Sequence, residues 1–262
     1  MTIVGTGCGI SPFDGRDLIF KPEEIGLEPA PSKNKVRLKL PWQPIDQGEV
    51  PCCVSIAVVT CMEILDVQKP PTVQLSVLFH YYITPKDQRT GELNLSEAFY
   101  TAAKKGVCPL EFHDHPITHE GAKIEPTLEA RTKAEKFCLV GYDPRRRRKR
   151  FYRIDVDKIE DWRAALFAGR GVAFAFYLTG GYFDIQENGN VHGDVKGKPS
   201  INSSLHAVVA VGYDDTKKAL LIRDSQGGEK FDKGHWWLPY SLVEHPRFIA
   251  EAFTAEEITY NE

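Results

Sequence analysis

The pattern of hydrophobic positions changes partway along the 262-residue chain. The longest apolar run, from Cys53 to Leu65, leaves few polar positions on any face of a helix. Its length, and Pro51 just ahead of it, predict a central, buried helix, although its β-branched residues leave a strand as the alternative. From Phe137 onward, shorter apolar runs predict strands. Helices followed by strands indicate an α+β fold with two lobes.

Other segments are typical of helices, from capping residues or from apolar positions on one face. These are Val73 to Ile83, a helix opened by the capping box of Asn94 and Glu97 and ending at Gly106, Pro126 to Phe137, and a helix capped by Asp157 and Glu160 that ends at Gly169. Strands are predicted at Phe137 to Tyr142, Tyr152 to Val156, Val172 to Leu178, Ala207 to Val211, Ala219 to Ile222 and Trp236 to Leu238, with a hairpin turn at Asn188 and Gly189.

The length and the order of these elements predict one domain over residues 1–262. Residues 1–50 are rich in Pro and Gly, which predicts an extended N-terminal wrap with little regular structure. A helical lobe is expected over roughly residues 51–136 and a strand-rich, barrel-like lobe over roughly residues 137–262. A cleft between the two lobes would be the place for a ligand.

Composition and charge exclude several classes of function. Thirty-three basic and thirty-six acidic side chains leave a formal charge of −3, so nucleic acid is not an expected partner. The basic run from Arg145 to Arg150 is the one exception: it is interpreted as a solvated loop or strand edge, with nucleic acid, a basic-residue importer or an anionic membrane as alternative partners. No stretch approaches the ~20 apolar residues of a spanning helix, and no signal peptide is evident. The chain is therefore expected to be cytoplasmic, with most of its six cysteines as thiols.

The vicinal pair Cys52 and Cys53 is the first candidate for chemistry. A thiol at the first turn of a helix gains thiolate character from the helix dipole and from a neighbouring imidazolium. Cys53 is predicted to hold that position. Gln47 lies six residues upstream, where its side-chain amide could donate to an oxyanion together with the Cys53 backbone N–H. The arrangement is typical of a cysteine nucleophile.

Four segments resemble the papain family of cysteine peptidases, and they follow the family's order. They are Ile45 to Cys53, Ser204 to Asp215, Ile222 to Gly227 and Lys233 to Tyr240. The form is closest to bacterial-type members without a propeptide. The resemblance implies the papain-like two-lobed fold, a peptide or protein substrate, and no metal or organic cofactor. It also implies Cys53 as nucleophile, His206 as base and Gln47 as oxyanion donor.

Two positions depart from the family pattern. Asp224 stands where the family has asparagine; as a carboxylate it could accept from the Nδ1–H of His206 and orient the ring. Gln226 stands where a tryptophan usually shields the His–Asn hydrogen bond, which predicts a wetter and looser pair. Cys52 matches a serine position beside the nucleophile.

Rival interpretations remain. An acyl transferase could use the same residues, with an amine in place of water. A catalytically inactive member could keep the fold to bind peptides, and the changes at Asp224 and Gln226 leave this open. His113, His115, His119 and Glu111 are metal-ligand residue types, but their Pro- and Gly-containing surroundings indicate a solvated loop rather than a metal site.

Overall fold

A computed structural model describes residues 7–12, 14, 15, 17–67, 72–139, 142, 143, 148, 149, 151–185, 190–193 and 204–260. The predicted hairpin turn at Asn188 and Gly189 lies outside these residues, as does most of the basic run from Arg145 to Arg150.

The helices occupy the first half of the chain and then alternate with strands. They are α1 (Cys53–Asp66), α2 (Val77–Ile83), α3 (Leu95–Lys105), α4 (Leu128–Ala134), α5 (Ile159–Phe167), α6 (Gly180–Phe183) and α7 (Tyr240–Val243), with short 3-10 turns at Pro22–Ile25, Leu110–Phe112 and Gly121–Lys123. The predicted central helix is confirmed as α1, and all 14 of its residues are buried. Burial on every side explains why its sequence has no polar face.

Most of the other predicted helices are confirmed with shifted ends. α2 begins at Val77 rather than Val73, because the Ser76 hydroxyl accepts from the Phe79 N–H and caps it there. Asn94 caps α3 as predicted. α3 stops at Gly106, where φ is +71° and a Cβ would lie 1.8 Å from the Ala134 carbonyl oxygen.

The predicted cap of α5 is wrong. Its N-cap residue is Lys158, which makes no side-chain capping bond. Glu160 lies in the first turn instead, where a carboxylate interacts favourably with the helix dipole. α4 is also shorter than predicted, since Thr127 caps it and it ends at Ala134.

The strands are β1 (Leu18–Ile19), β2 (Lys35–Arg37), β3 (Phe137–Leu139), β4 (Tyr142–Asp143), β5 (Arg148–Lys149), β6 (Phe151–Ile154), β7 (Val172–Tyr177), β8 (Leu205–Asp214), β9 (Ala219–Arg223), β10 (His235–Pro239), β11 (Ile249–Ala255) and β12 (Ile258–Tyr260). Eight form one sheet in the order β1-β6-β11-β7-β8-β9-β10, and β2 pairs with β8 beyond the end of β7. All neighbours are antiparallel except β1 and β6. The sequence did not predict β1, β2, β5, β11 or β12.

The sheet separates two hydrophobic cores, and β8 shows how. Ala207, Val209 and Val211 belong to the core that contains α1. Val208 and Ala210 belong to the opposite core, which contains Trp162, Phe176 and Trp236. Alternate residues of a strand point to opposite faces, so an apolar run such as that of β8 is buried on both sides. α1 packs directly against β8, and this contact brings the start of the helix to the start of the strand.

Candidate active site

The site begins at the first residue of α1. Cys53 is the first helical residue after the N-cap Cys52, and neither side chain is exposed. The N-terminus of a long helix carries a partial positive charge that favours an anion such as a thiolate. The sequence prediction for the position of Cys53 is therefore confirmed.

His206 is the second residue of β8 and connects Cys53 to Asp224. Its Nε2 lies 3.1 Å from Asp224 Oδ1, and the Cys53 side chain is hydrogen-bonded to the same ring. Side-chain exposure is 2% for His206 and 0% for Asp224. The structure thus brings together, in one buried row, three residues that the sequence singled out separately.

The orientation of the imidazole differs from the expectation. Nε2, not Nδ1, faces Asp224. Nδ1 is therefore the ring nitrogen left for Cys53. The sequence cannot specify this, because a ring rotation of 180° exchanges the two nitrogens without changing any residue.

Asp224 is surrounded by hydrogen-bond donors. Besides His206, Oδ1 accepts from the Ser225 N–H at 2.8 Å, and Oδ2 accepts from Trp236 Nε1 at 2.7 Å. The Tyr182 hydroxyl lies 3.3 Å and 3.2 Å from the two oxygens. A carboxylate accepts at both oxygens, so it satisfies all four donors.

The prediction of a wet and loose pair is wrong. Aromatic rings enclose His206: Phe176 lies at 5.9 Å and Tyr182 at 5.7 Å between ring centroids. Trp236 is fully buried and donates to Asp224, so it supplies a shield that Gln226 does not. A buried, charged acceptor with several donors is held in one orientation.

Gln47 is tied to the loop that follows β9. Its backbone N–H donates to the Ser225 carbonyl at 2.9 Å, and the Ser225 hydroxyl donates to Gln47 Oε1. Gln47 Nε2 donates to the Val50 carbonyl at 3.1 Å. Ser225 thus contacts both Asp224 and Gln47, so a single short loop positions the Asp224 carboxylate and the Gln47 amide.

The pKa values of the five cysteines other than Cys53 are raised. It raises the pKa of Cys61 and Cys108 to about 12 and that of Cys138 to about 11. Burial also raises the pKa of Cys52 and Cys8, with the charge of Cys53 acting in the same direction. All six cysteines are unbridged. Because the thiolate is the reactive form, these five are poor nucleophiles at neutral pH.

His206 predicts a dependence of stability on pH. Burial lowers its pKa, but the Asp224 carboxylate and the Cys53 sulfur outweigh burial and raise the pKa to about 10. The unfolded value is about 6.5. Protonated His206 therefore stabilises the fold fully below about pH 6.5, and this contribution is lost as pH rises through about 10. We expect the free energy of unfolding to fall over that window.

Denaturant unfolding at a series of pH values measures this slope, and His206→Gln is the control that should flatten it. The ring titration can be followed directly by NMR with labelled histidine. A His206 pKa at or below the unfolded value would contradict the prediction.

Sequence reasoning missed two functional neighbours. Tyr182 lies on the short helix α6 in no recognisable motif, and its contact with Asp224 spans 42 residues of sequence. Ser225 was noted only as part of the segment after β9. Trp236 was predicted to begin a strand and lies in β10, but its hydrogen bond to Asp224 was not foreseen.

The histidines outside this site form no metal centre in the part of the chain that is described, where no three His, Cys, Asp or Glu side chains come close enough to bind an ion. His113 is buried rather than solvated, and burial lowers its pKa to about 4, with His115 adding to the effect. Among the described residues, no helix has the length and apolarity needed to cross a membrane.

The chain has the two-lobed papain-like fold of cysteine proteases. Xylellain, a cysteine protease from Xylella fastidiosa, superposes with a TM-score of 0.80 at 22% identity, over 97% of this chain and 96% of xylellain. Digestive procathepsin L 3 of Tenebrio molitor gives 0.72 at 14% identity, over 96% of this chain and 76% of that one. The bromelain protease of Ananas comosus gives 0.64 at 15%, over 87% and 99%.

A sequence relative agrees with the fold. An uncharacterized peptidase C1-like protein of Acanthamoeba polyphaga mimivirus is 25% identical over 236 residues, which cover 82% of this chain and 70% of the relative. No protein-family model matches the sequence. The resemblance to the papain family is thereby confirmed at the level of the fold.

Proposed function

We propose that this chain is a cysteine peptidase that hydrolyses peptide bonds through a Cys53–His206–Asp224 triad. One observation carries the proposal. A thiol at the N-terminus of a buried helix is hydrogen-bonded to an imidazole whose other nitrogen is bonded to a buried carboxylate. Acyl transfer by a thiol requires a nucleophile, a base beside it and a group that orients the base, in this spatial order.

The first half of the reaction forms a thioester. His206, whose pKa is raised to about 10, holds the proton at neutral pH, and the Cys53 thiolate attacks the carbonyl carbon of the substrate peptide bond. The negative oxygen that develops accepts from the Cys53 backbone N–H and from Gln47 Nε2. The imidazolium then donates its Nδ1 proton to the leaving nitrogen, the C–N bond breaks, and the amine departs.

The second half regenerates the enzyme. His206 accepts a proton from water, the hydroxide oxygen attacks the thioester carbon, and the C–S bond breaks to release the carboxylic acid. The Asp224 carboxylate accepts from His206 Nε2 and stabilises the imidazolium. The four donors around Asp224 serve this role, since they stabilise its negative charge within a buried site.

A peptide-library digestion tests the proposal. The wild-type chain is expected to generate new peptide termini, and product masses with and without an added amine distinguish hydrolysis from acyl transfer. Tryptic mapping after treatment with iodoacetamide at neutral pH should find Cys53 modified before the other five cysteines. Intact peptides together with no preferential labelling of Cys53 would favour an inactive peptide-binding member.

A further inference from the structure

A cavity of about 330 Å³ opens on the helical lobe beside the loop that leads into the nucleophile. Its walls include Val50, Tyr81, Tyr82, Lys86, His119 and Lys123. The Val50 carbonyl accepts from Gln47 Nε2 at 3.1 Å and from the Cys52 N–H at 2.8 Å. Val50 is therefore hydrogen-bonded both to the proposed oxyanion donor and to the residue before Cys53, so the cavity adjoins the site.

Tyr81 lies between the cavity and the thiols. Burial raises the pKa of its hydroxyl, and the charges of Cys52 and Cys53 raise it further, which shows that the ring is close to both sulfurs. The Tyr81 side chain is 8% exposed, and within the part of the chain that is described its hydroxyl has no hydrogen-bond partner. Polar groups of buried side chains are usually bonded, so an acceptor bound in the cavity would supply the missing partner.

Two lysines give the cavity a positive charge. Lys86 Nζ lies 4.2 Å from the centre of the Tyr81 ring and donates to the Tyr81 carbonyl at 3.0 Å. These contacts hold the ammonium at the cavity wall and leave two of its three N–H groups for a ligand. Lys123 lines the same cavity. Among the described residues, no carboxylate lies within ion-pair distance of either lysine.

The acidic side chains nearest to these lysines are directed to other partners. Glu49 lies 3.9 Å from His119 Nε2, and its side chain is 88% exposed. The Asp87 carboxylate accepts from the backbone N–H groups of Arg89 and Thr90 at 2.8 Å and 3.0 Å. The whole chain has a formal charge of −3, so the positive charge is a local property of this cavity.

We propose that this cavity is a specificity pocket for an acidic substrate side chain, so that the peptidase prefers peptides with aspartate or glutamate beside the cleaved bond. The inference rests on the proposed function and names its class of substrate. The two oxygens of a carboxylate accept from the ammonium groups of Lys86 and Lys123 and from the Tyr81 hydroxyl. The same two cations repel a lysine or arginine side chain, which adds to the discrimination.

Two fluorogenic peptides that differ only in a glutamate or a glutamine measure the preference, and the library digestion shows at which position beside the cleaved bond to place that residue. We expect wild-type kcat/KM to favour the glutamate peptide by about tenfold or more, because hydrogen bonds to a charged group are the stronger ones. The ratio should fall toward one in Lys86→Gln and in Lys123→Gln. Tyr81→Phe should reduce it less, since it removes one uncharged donor and keeps the ring beneath Lys86.

Lys104→Gln is the matched control. Lys104 also lies over a tyrosine ring of the helical lobe, 5.6 Å from the centre of Tyr100, but it does not line the cavity. This variant should keep the wild-type ratio. The double variant Lys86→Glu, Lys123→Glu should instead favour a lysine peptide over the glutamate peptide, a gain that loss of folding cannot produce.

The outcomes separate the pocket from the peptidase. If the wild type cleaves both peptides with equal kcat/KM, or if the acidic preference survives the double charge reversal, the pocket is overturned and the peptidase assignment stands. An equal fall of the ratio in Lys104→Gln would reveal a general effect of charge and would also overturn the pocket. If no library peptide is cleaved and Cys53 is not labelled preferentially, the proposed function fails, and the pocket fails with it.

Discussion

Replacement of Cys53 by alanine is expected to remove peptide hydrolysis, with a loss in kcat on the order of 10⁴-fold or more. Without the sulfur no thioester forms, and the remaining oxyanion donors act only on direct attack by water, which is far slower. The fold should persist, because alanine fits a helix interior and α1 is buried along its length. The measurement is the rate of cleavage of a fluorogenic peptide selected from the library digestion.

The neighbouring thiol offers a matched control. Cys52→Ser changes the same kind of atom one residue earlier, and we expect it to cleave the peptide as the wild type does. Circular dichroism of both variants should report a folded chain. Retained activity in Cys53→Ala with a loss in Cys52→Ser would identify Cys52 as the nucleophile instead.

Replacement of Asp224 by asparagine is expected to lower kcat by about 10²- to 10⁴-fold, although asparagine is the usual residue of the papain family at this position. The reason lies in the donors around it. An amide has one acceptor oxygen and one NH₂ group. If the NH₂ group faces Trp236, two donors oppose each other; if it faces the other way, it opposes the Ser225 N–H. One buried donor loses its acceptor in either orientation.

The charge changes as well. A neutral amide stabilises the imidazolium less than a carboxylate does, so the pKa of His206 should fall and the variant's activity should shift with pH. Tyr182→Phe is the comparison variant: it removes one donor and keeps the carboxylate, so its loss in kcat should be much smaller. Wild-type kcat in Asp224→Asn, with an unchanged pH profile, would show that the carboxylate and its donors have no part in orienting His206.

Local spacing explains what sequence reasoning could reach. Gln47 and Cys53 are six residues apart. The helix start that Pro51 predicts is enough to place the Cys53 thiol in the first helical turn. α1 could also be predicted from the sequence, since a long apolar run indicates a buried element without knowledge of the elements that cover it. β11 could not be predicted, because hydrophobic and polar residues alternate only weakly from Ile249 to Ala255. Its place between β6 and β7 depends on pairing with strands that are distant in the sequence.

The surroundings of Asp224 come from elements far apart in the chain. His206 is 18 residues away, Tyr182 is 42 and Trp236 is 12, and each belongs to a different strand or helix. The resemblance to the papain family paired His206 with Asp224, but nothing in the sequence indicated that Tyr182 and Trp236 donate to that carboxylate. Inspection of position 226 alone suggested that the histidine pair lacked its shield, whereas the shield is present and comes from another strand.

By itself, the sequence determined the buried helix that carries Cys53, because a hydrophobic pattern is a local property, and its resemblance to the papain family supplied the residue types of the site and their order along the chain. Only the tertiary structure decided which nitrogen of His206 faces Asp224, which donors surround that carboxylate, and where residues 7–11 lie. The Ser11–Glu251 bonds join positions 240 residues apart. Contacts of that kind depend on how the whole chain packs, since packing, and not spacing along the chain, brings their partners together.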